Sequence, residues 1–377
     1  MLPPPWSQRL RAQAEGRRAR GRERAIRPPA GADFCSNDYL GLRTDPRLAQ
    51  AAAEAARNFG TGTGAARLLR GTTPLHEELE GALARWKGTG DCLLFGTGFQ
   101  ANATLLPALL GPGDAVFSDA LNHASLVDGC RLARAGGAHL GIYRHRDLAD
   151  LEGQLTAWGR SCENGLALVA TDAVFSMDGD AADLPALVDL CERHGALLLV
   201  DEAHATGLLG ADGAGLSQLQ GVTGRVPLVM GTLGKALGAF GAFVGCDRLL
   251  RDHLVNTARG FIFSTALPPP AVGAALEGVR LAQAEPWRRE KALALAARLR
   301  RGLGQDDAPS AIVPLLVGPD AEAVRLAEAL HAEGFDVRAV RPPTVPEGSA
   351  RLRITVGAHL EEGSVDALLA ALARVRR

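Results

Sequence analysis

Lys235 follows the short apolar run Leu228–Met230 and stands between Gly234 and Gly238, a setting that suits an amine held at the end of a buried strand. Four earlier runs of the same kind also lead to residues that can do chemistry. Leu93–Phe95 leads to Gly96, Gly98 and Phe99, and Ala115–Phe117 to Ser118, Asp119 and His123. Leu166–Ala170 leads to Asp172 and Ser176, Ala196–Val200 to Asp201 and His204, and Leu228–Met230 itself to Thr232 before Lys235. Ligands of a wound sheet collect at the carboxyl ends of its strands, so these residues converge on one edge. Together they suit pyridoxal phosphate (PLP). Its aldehyde needs a lysine, its ring nitrogen an acidic partner, and its phosphate a helix N-terminus with hydroxyl donors.

Each element taken singly has a plainer reading. Gly96-Thr97-Gly98-Phe99-Gln100-Ala101 fits a dinucleotide GxGxxA pattern, but a dinucleotide fingerprint follows the first strand and this one starts some 95 residues in. Gly234-Lys235 is not a P-loop, because Val229 and Ala236 stand where glycine and a hydroxyl residue are needed. Asp201 could be a helix N-cap, Ser176 a loop hydroxyl, and His123 and His204 structural. His76-Glu77-Glu78 does not match HExxH and reads as part of a surface helix. The six cysteines are scattered, without a CxxC pair or a Cys/His cluster. They read as buried thiols, and no metal site is expected.

The elements that must position these residues follow from the pattern. Short continuous apolar runs alternating with helical spacing, as in Leu184–His194, indicate strands buried on both faces and covered by helices: an α/β fold with a mostly parallel wound sheet. Pro268–Pro270 interrupts that alternation. A long helix over 271–303, kinked at Pro286, is expected next. A strand over 312–317, a helix over 321–333, strands over 337–340 and 352–356, and a closing helix over 364–376 then suggest a small α+β C-terminal domain. The expected division is an N-terminal arm over 1–45, a large domain over 46–270 and a small domain over 271–377. The chain has 377 residues, 47% of them apolar, and a net charge of −1, which points neither to nucleic acid nor to a membrane surface. Eight arginines between Arg9 and Arg27 make the arm basic; with two glutamates in that stretch and one serine, Ser7, in the first 30 residues, it reads as a solvated helix rather than a transit peptide. No apolar run reaches membrane-spanning length, and a cytoplasmic protein is expected.

Five ordered motifs carry a family resemblance. Ser36-Asn37-Asp38-Tyr39-Leu40-Gly41-Leu42, Asn122-His123-Ala124-Ser125, Val174–Gly179, Val200–Gly207 and Gly231–Ala236 resemble the signature segments of the α-oxoamine synthases, in the family's order, over nearly the whole chain from about residue 33. The resemblance implies the PLP-dependent transferase fold type I and a homodimer with active sites at the subunit interface. Arg341–Pro346 with Arg351-Leu352-Arg353 resembles the branch that joins L-alanine to a pimeloyl thioester carried by coenzyme A or an acyl carrier protein.

By that resemblance Lys235 holds the cofactor and removes the alanine Cα proton, and Asp201 pairs with the ring nitrogen. His204 hydrogen-bonds the phenolic oxygen, His123 stacks on the ring, and Ser176 contacts the phenolic oxygen or the phosphate. Gly98, Phe99 and Thr232 serve the phosphate, with Ser264-Thr265 reaching it from the other subunit. Arg353, with Asn37, is expected at the alanine carboxylate. Arg24, Arg341 and Thr344 are expected near the acyl substrate. Two other readings stay open: a glycine- or serine-using synthase of the same family, and a catalytically silent aminotransferase-like binding protein, which would be expected to lack the lysine.

Overall fold

The structure is a computed structural model that describes residues 2–162 and 164–376. The chain folds as two compact units. The larger holds Asp38–Leu293 with Ala308–Ser310; the smaller gathers the chain up to Asn37, Ala294–Asp307 and the chain from Ala311 on.

In chain order the strands begin with a two-residue strand, β1 (Ala32–Asp33), in the smaller unit. The larger unit holds β2 (Asp91–Phe95), β3 (Ala115–Asp119), β4 (His139–Tyr143), β5 (Ala167–Asp172), β6 (Leu197–Asp201), β7 (Leu228–Thr232) and β8 (Ala242–Cys246). They form one sheet in the order β2-β8-β7-β6-β5-β3-β4. β4, β3, β5, β6 and β7 pair in parallel, and β8 runs antiparallel to both β7 and β2. β3 is buried at all five positions and β5 at all six, as expected of inner parallel strands covered by helices on both faces. Leu105 and Leu106 of the helix Gly98–Leu109 and Leu126 of the helix Ala124–Ala135 pack with Leu93, Val116, Leu199 and Met230 in one core. The helix Leu184–His194 has the bounds its spacing predicts. Asp183 caps its start by accepting from the Ala186 N–H, and Gly195 ends it at φ 61°.

β4 and β8 were not expected. β4 is an edge strand whose exposed and buried residues break the continuous run, and β8 follows a glycine-rich stretch that reads as loop. His76 is also corrected. It lies on the expected helix, Pro74–Lys87, but is fully buried. Its Nδ1 sits 2.8 Å from the Thr73 hydroxyl and its Nε2 3.0 Å from the Leu267 carbonyl.

In place of one helix over 271–303 there are two, Pro269–Ala284 and Trp287–Gly302. Pro286 carries no N–H and drives Glu285 out of the helical region, to ψ 68°. The first of them belongs to the larger unit: Gly273 lies so close to the helix Pro46–Phe59 that a Cβ there would meet the Ala55 Cβ at 2.8 Å. The contacts therefore divide the chain at 293/294 rather than at 270/271, and at 37/38 rather than at 45/46.

The smaller unit carries β9 (Ile312–Gly318), β10 (Phe335–Asp336), β11 (Arg338–Val340) and β12 (Ala350–Thr355). β11, β12 and β9 form an antiparallel sheet, and β10 pairs in parallel with β1. Phe34, Leu299, Val313, Leu330, Leu352, Ile354 and Leu368 make its core. The basic arm begins as a helix, Pro4–Ala19, with no buried residue. Cys92, Cys130, Cys191 and Cys246 are buried, whereas Cys35 and Cys162 are half-buried. Burial pushes the Cys130 thiol up to about 11 and those of Cys191 and Cys246 to about 12. No described helix is long and apolar enough to cross a membrane.

Candidate active site

The end of β7 turns sharply to present Lys235. The Leu233 N–H donates to the Gly241 carbonyl, and the Gly238 N–H to that of Lys235 at 3.0 Å. Gly238 has φ 65°, and a Cβ there would lie 2.6 Å from the backbone of Leu42 and Arg43, so only glycine closes this turn. Lys235 Nζ sits 2.9 Å from His204 Nε2, and His204 Nδ1 lies 2.5 Å from the Tyr39 hydroxyl. His204 occupies the turn after β6, where the Ala205 and Thr206 N–H groups donate to the Glu202 carbonyl. Beneath that turn, the fully buried Glu202 carboxylate is paired with Lys87, whose Nζ also donates to the Thr206 hydroxyl at 2.8 Å.

Asp201, at the tip of β6, is only 4% exposed. Its Oδ1 accepts from the Ala203 N–H at 2.9 Å and its Oδ2 from Asn102 Nδ2 at 2.7 Å. Asn102 is fully buried and also donates to Ser125 Oγ at 2.9 Å, which stands 2.7 Å from His123 Nδ1. His123 caps the helix Ala124–Ala135, and its backbone N–H donates to Asp172 Oδ2 at 2.9 Å. Asp172 is positioned by Asn122, whose Oδ1 accepts from the Asp172 N–H while its Nδ2 donates to Ser118 Oγ and the Ala170 carbonyl.

These groups feel one another electrostatically. Burial lowers the His123 pKa and so does the Lys235 charge, against the pull of Asp201; the imidazole is neutral near pH 7. Burial raises the Asp172 pKa well above the usual carboxylate range and the Asp201 charge adds to this, outweighing the His123 N–H and Lys235. Lys235, His204, Asp201 and His123 are thus brought together in the larger unit.

Of the expected phosphate residues, Gly98 and Phe99 follow β2, Thr232 ends β7 and Ser264-Thr265 follow the short helix Arg259–Ile262. Thr97 caps the helix Gly98–Leu109 by accepting from the Gln100 N–H at 3.1 Å, and Gly98 and Phe99 form its first turn, with Phe99 half exposed. Such a turn offers N–H groups to an anion. Thr232 Oγ1 donates to the Gly241 carbonyl at 3.1 Å. Ser264 Oγ accepts from Gln100 Nε2 at 2.6 Å, and Thr265 is exposed. Ser176 is half-buried in the tight turn between Phe175 and Asp180.

The remaining expected residues fall in the smaller unit. Arg353 on β12 donates through Nη2 to Asn37 Oδ1 at 3.1 Å and through Nη1 to Thr355 Oγ1 at 2.9 Å. Arg24 Nη2 lies 3.3 Å from Thr344 Oγ1. Arg341 donates to the Gly21 carbonyl and, at 3.2 Å, to that of Glu23. It thus holds the arm backbone rather than a surface acid. Arg24, Arg341 and Thr344 line one open cleft of about 820 Å³ with Arg338 and His331.

Comparison with known proteins separates the readings. The aminotransferase class I and II family matches residues 30–372. An 8-amino-7-oxononanoate synthase of Anaeromyxobacter dehalogenans is 55% identical over 348 residues, 91% of this chain and 86% of that protein. The chain belongs to the 8-amino-7-oxononanoate synthase family. A solved member from Francisella tularensis overlaps with a TM-score of 0.77 at 25% identity, over 91% of this chain and 97% of its own. A serine palmitoyltransferase of S. paucimobilis, with a bound PLP–myriocin aldimine, overlaps with a TM-score of 0.88 at 31% identity, over 97% and 96%. The palmitoyltransferase overlaps better in backbone than the Francisella synthase, but the sequence identity is far higher with the Anaeromyxobacter synthase, 55% against 31%. Substrate choice is made by side chains at a site, so the identity decides the family.

The donor set fits PLP: a lysine amine after β7, a buried carboxylate steadied by two donors at the end of β6, a neutral imidazole after β3 and a helix N-terminus after β2, all in one sheet. Sequence reading missed Asn102, Ser125 and Tyr39 as supports. The signal for Asn102 was there, an amide among the buried residues of the apolar helix Gly98–Leu109; Ser125 and Tyr39 stood inside motifs already noticed.

Proposed function

We propose that this protein is the PLP-dependent acyltransferase that condenses L-alanine with a pimeloyl thioester, releasing the thiol and CO₂ and yielding 8-amino-7-oxononanoate for biotin biosynthesis. The observation that carries the reading is the Lys235 amine, 2.9 Å from His204 Nε2 and close enough to Asp201 that both charges act on His123 and Asp172. When bound, PLP supplies an electron sink for negative charge at the alanine Cα. The residues of this chain do the rest.

Asp201, steadied by Asn102 and the Ala203 N–H, keeps a positive charge on the ring nitrogen. His123 offers a neutral ring face, and His204 faces the phenolic oxygen. Ser176 serves that oxygen or the phosphate. Gly98, Phe99 and Thr232 hold the phosphate, and the exposed Thr265 reaches that of a second copy in a homodimer with shared active sites. Lys235 Nζ takes the alanine Cα proton and later returns one to carbon. Arg353 grips the alanine carboxylate with Asn37 beside it; a guanidinium fork also fixes the orientation of the Cα–H bond. Arg24, Arg341 and Thr344 receive the pimeloyl chain, whether it arrives on coenzyme A or on an acyl carrier protein. The working compartment is the cytoplasm.

The test is product formation by the PLP-loaded protein from pimeloyl-CoA with alanine, glycine or serine, with the visible spectrum recorded as the amino acid and then the thioester is added. Alanine should change the spectrum, pimeloyl-CoA should change it again, and 8-amino-7-oxononanoate should accumulate. Preferred use of glycine or serine with another acyl-CoA would overturn the reading in favour of a different α-oxoamine synthase. No spectral response to any amino acid would favour a silent binding protein.

A further inference from the structure

Tyr39 belongs to the Ser36–Leu42 motif, yet nothing in the reaction outlined above uses it. It is 1% exposed, and its hydroxyl lies 2.5 Å from His204 Nδ1, the nitrogen turned away from Lys235. The two rings are tilted by 56° with centroids 6.1 Å apart, so the contact is a hydrogen bond rather than a stack. The segment that carries Tyr39 is held on several sides. Asp38 Oδ1 accepts from the Leu42 N–H at 2.9 Å, the Gly41 N–H donates to the Asp38 carbonyl at 3.0 Å, and Arg288 Nη1 donates to the Leu40 carbonyl at 2.9 Å. The same segment packs against both site turns. A Cβ on Gly207 would meet Ala236 at 2.8 Å and Leu40 at 3.4 Å, and one on Gly238 would strike Leu42. The phenol is therefore placed by the fold and does not merely drift against the imidazole.

We infer that Tyr39 is a positioning residue that, once the Lys235 amine is taken up by the cofactor and no longer donates to Nε2, donates its hydroxyl proton to His204 Nδ1 and so fixes His204 as the tautomer with its proton on Nε2. A neutral imidazole has one N–H, and the nitrogen that carries it is set by what bonds the other. The phenolic oxygen of PLP is an electron-rich acceptor and calls for a donor. His204 can be that donor only while Nδ1 accepts. The inference rests on the reading of this pocket as a PLP site, and its test separates the two.

The test compares Tyr39→Phe with wild type in reconstituting the full-length, cofactor-stripped protein with PLP or with an analogue lacking only the phenolic oxygen. A hydrogen bond to a charged acceptor is worth roughly tenfold or more in affinity, so Tyr39→Phe should weaken PLP about tenfold and the analogue less than about twofold. Equal losses would show that Tyr39 only supports the fold, and no loss for either would show that it does not act on His204; each overturns the inference. A second readout needs no variant at Tyr39: in the ¹⁵N spectrum of PLP-loaded protein with labelled histidine rings, the signal lost in His204→Gln should come from a ring protonated at Nε2 and bare at Nδ1. Protonation at Nδ1 overturns the inference even if Tyr39→Phe does not fold. Should wild type bind both cofactors equally and borohydride fix neither to Lys235, the PLP reading fails and the inference falls with it.

Discussion

His145 should make the stability of this protein depend on pH in a direction that can be worked out beforehand. Its Nδ1 stands 2.9 Å from Asp119 Oδ1 and its Nε2 2.9 Å from Asp180 Oδ2. Phe175 meets the ring edge-on at 4.4 Å between centroids, and Arg146 is the other cation at this cluster, 3.1 Å from Asp180. Burial pulls the imidazole pKa down, but the hydrogen bonds to Asp119 and Asp180 outweigh it and raise it from 6.5 to about 9. One pH unit corresponds to roughly 1.4 kcal/mol, so the rise corresponds to about 3 kcal/mol, or about 2 kcal/mol once solvent screening of the partly exposed ring is allowed for. A raised pKa contributes its stability fully below the unfolded value of 6.5, and the contribution is lost as pH climbs through about 9. Asp180 works in the other direction. Burial raises its pKa, but His145 and Arg146 lower it below 3.8 overall, so its share is present above that value and lost as pH falls below it.

The perturbation is His145→Gln, with urea unfolding of the full-length protein at pH 6, 8 and 10. At pH 6 wild type should exceed the variant by about 2 kcal/mol, and by pH 10 the gap should close to well under 1 kcal/mol. A gap that stays constant across this range would mean that His145 stabilises by shape and neutral hydrogen bonding, and would refute the charge argument. Because Asp119 ends the strand before His123 and Asp180 closes the turn of Ser176, PLP affinity in the variant should fall together with stability.

Other perturbations follow from the site. Lys235→Ala should abolish turnover while PLP is still retained, and borohydride should fix the wild-type cofactor on the peptide containing Lys235; label on another peptide refutes the assignment. Asp201→Asn should leave the fold intact and slow exchange of the alanine Cα hydrogen with deuterated solvent by tenfold or more, about the worth of one charged hydrogen bond. Unchanged exchange would give the ring nitrogen to another residue. Arg341→Ala should weaken use of pimeloyl-CoA and narrow its preference over heptanoyl-CoA, with alanine binding hardly altered. Since Arg341 also holds the carbonyls of Gly21 and Glu23, an equal loss for both acyl chains would show that it only anchors the arm.

What could be read before the structure was whatever leaves a trace in residue type along a short stretch. Five of the seven strands of the main sheet are continuous apolar runs because both faces are covered, and the chemistry after each is visible because Lys, His and Asp are out of place there. β4 left no such trace because an edge strand is half solvated, and the break at Pro286 was misjudged because a helical pattern on both sides of a proline fits a kink as well as a stop. Pairings far apart in sequence were invisible. Lys87 and Glu202, 115 residues apart, form a buried ion pair under the His204 turn, and each looks like an ordinary surface charge on its own helix or loop.

The two buried acids of the site show what only the third dimension supplies. Asp172 and Asp201 end neighbouring strands and pair in register across β5 and β6, so their side chains share one desolvated space. Two carboxylates so placed cannot both ionise cheaply, and the fold has to choose between them. It does so through donors. Asp201 receives the Asn102 amide on one oxygen and the Ala203 N–H on the other, whereas the donor recorded at the Asp172 carboxyl is the backbone N–H of His123. Burial and the Asp201 charge push the Asp172 pKa well above the usual carboxylate range, so the proton is held at Asp172. Asn102→Leu would remove the amide that tips this balance. Asp201 would then keep only the Ala203 N–H of its two donors, and the loss of Cα hydrogen exchange should approach that of Asp201→Asn although Asn102 touches no reacting atom. Full exchange in Asn102→Leu would show that the Ala203 N–H alone holds the charge in place.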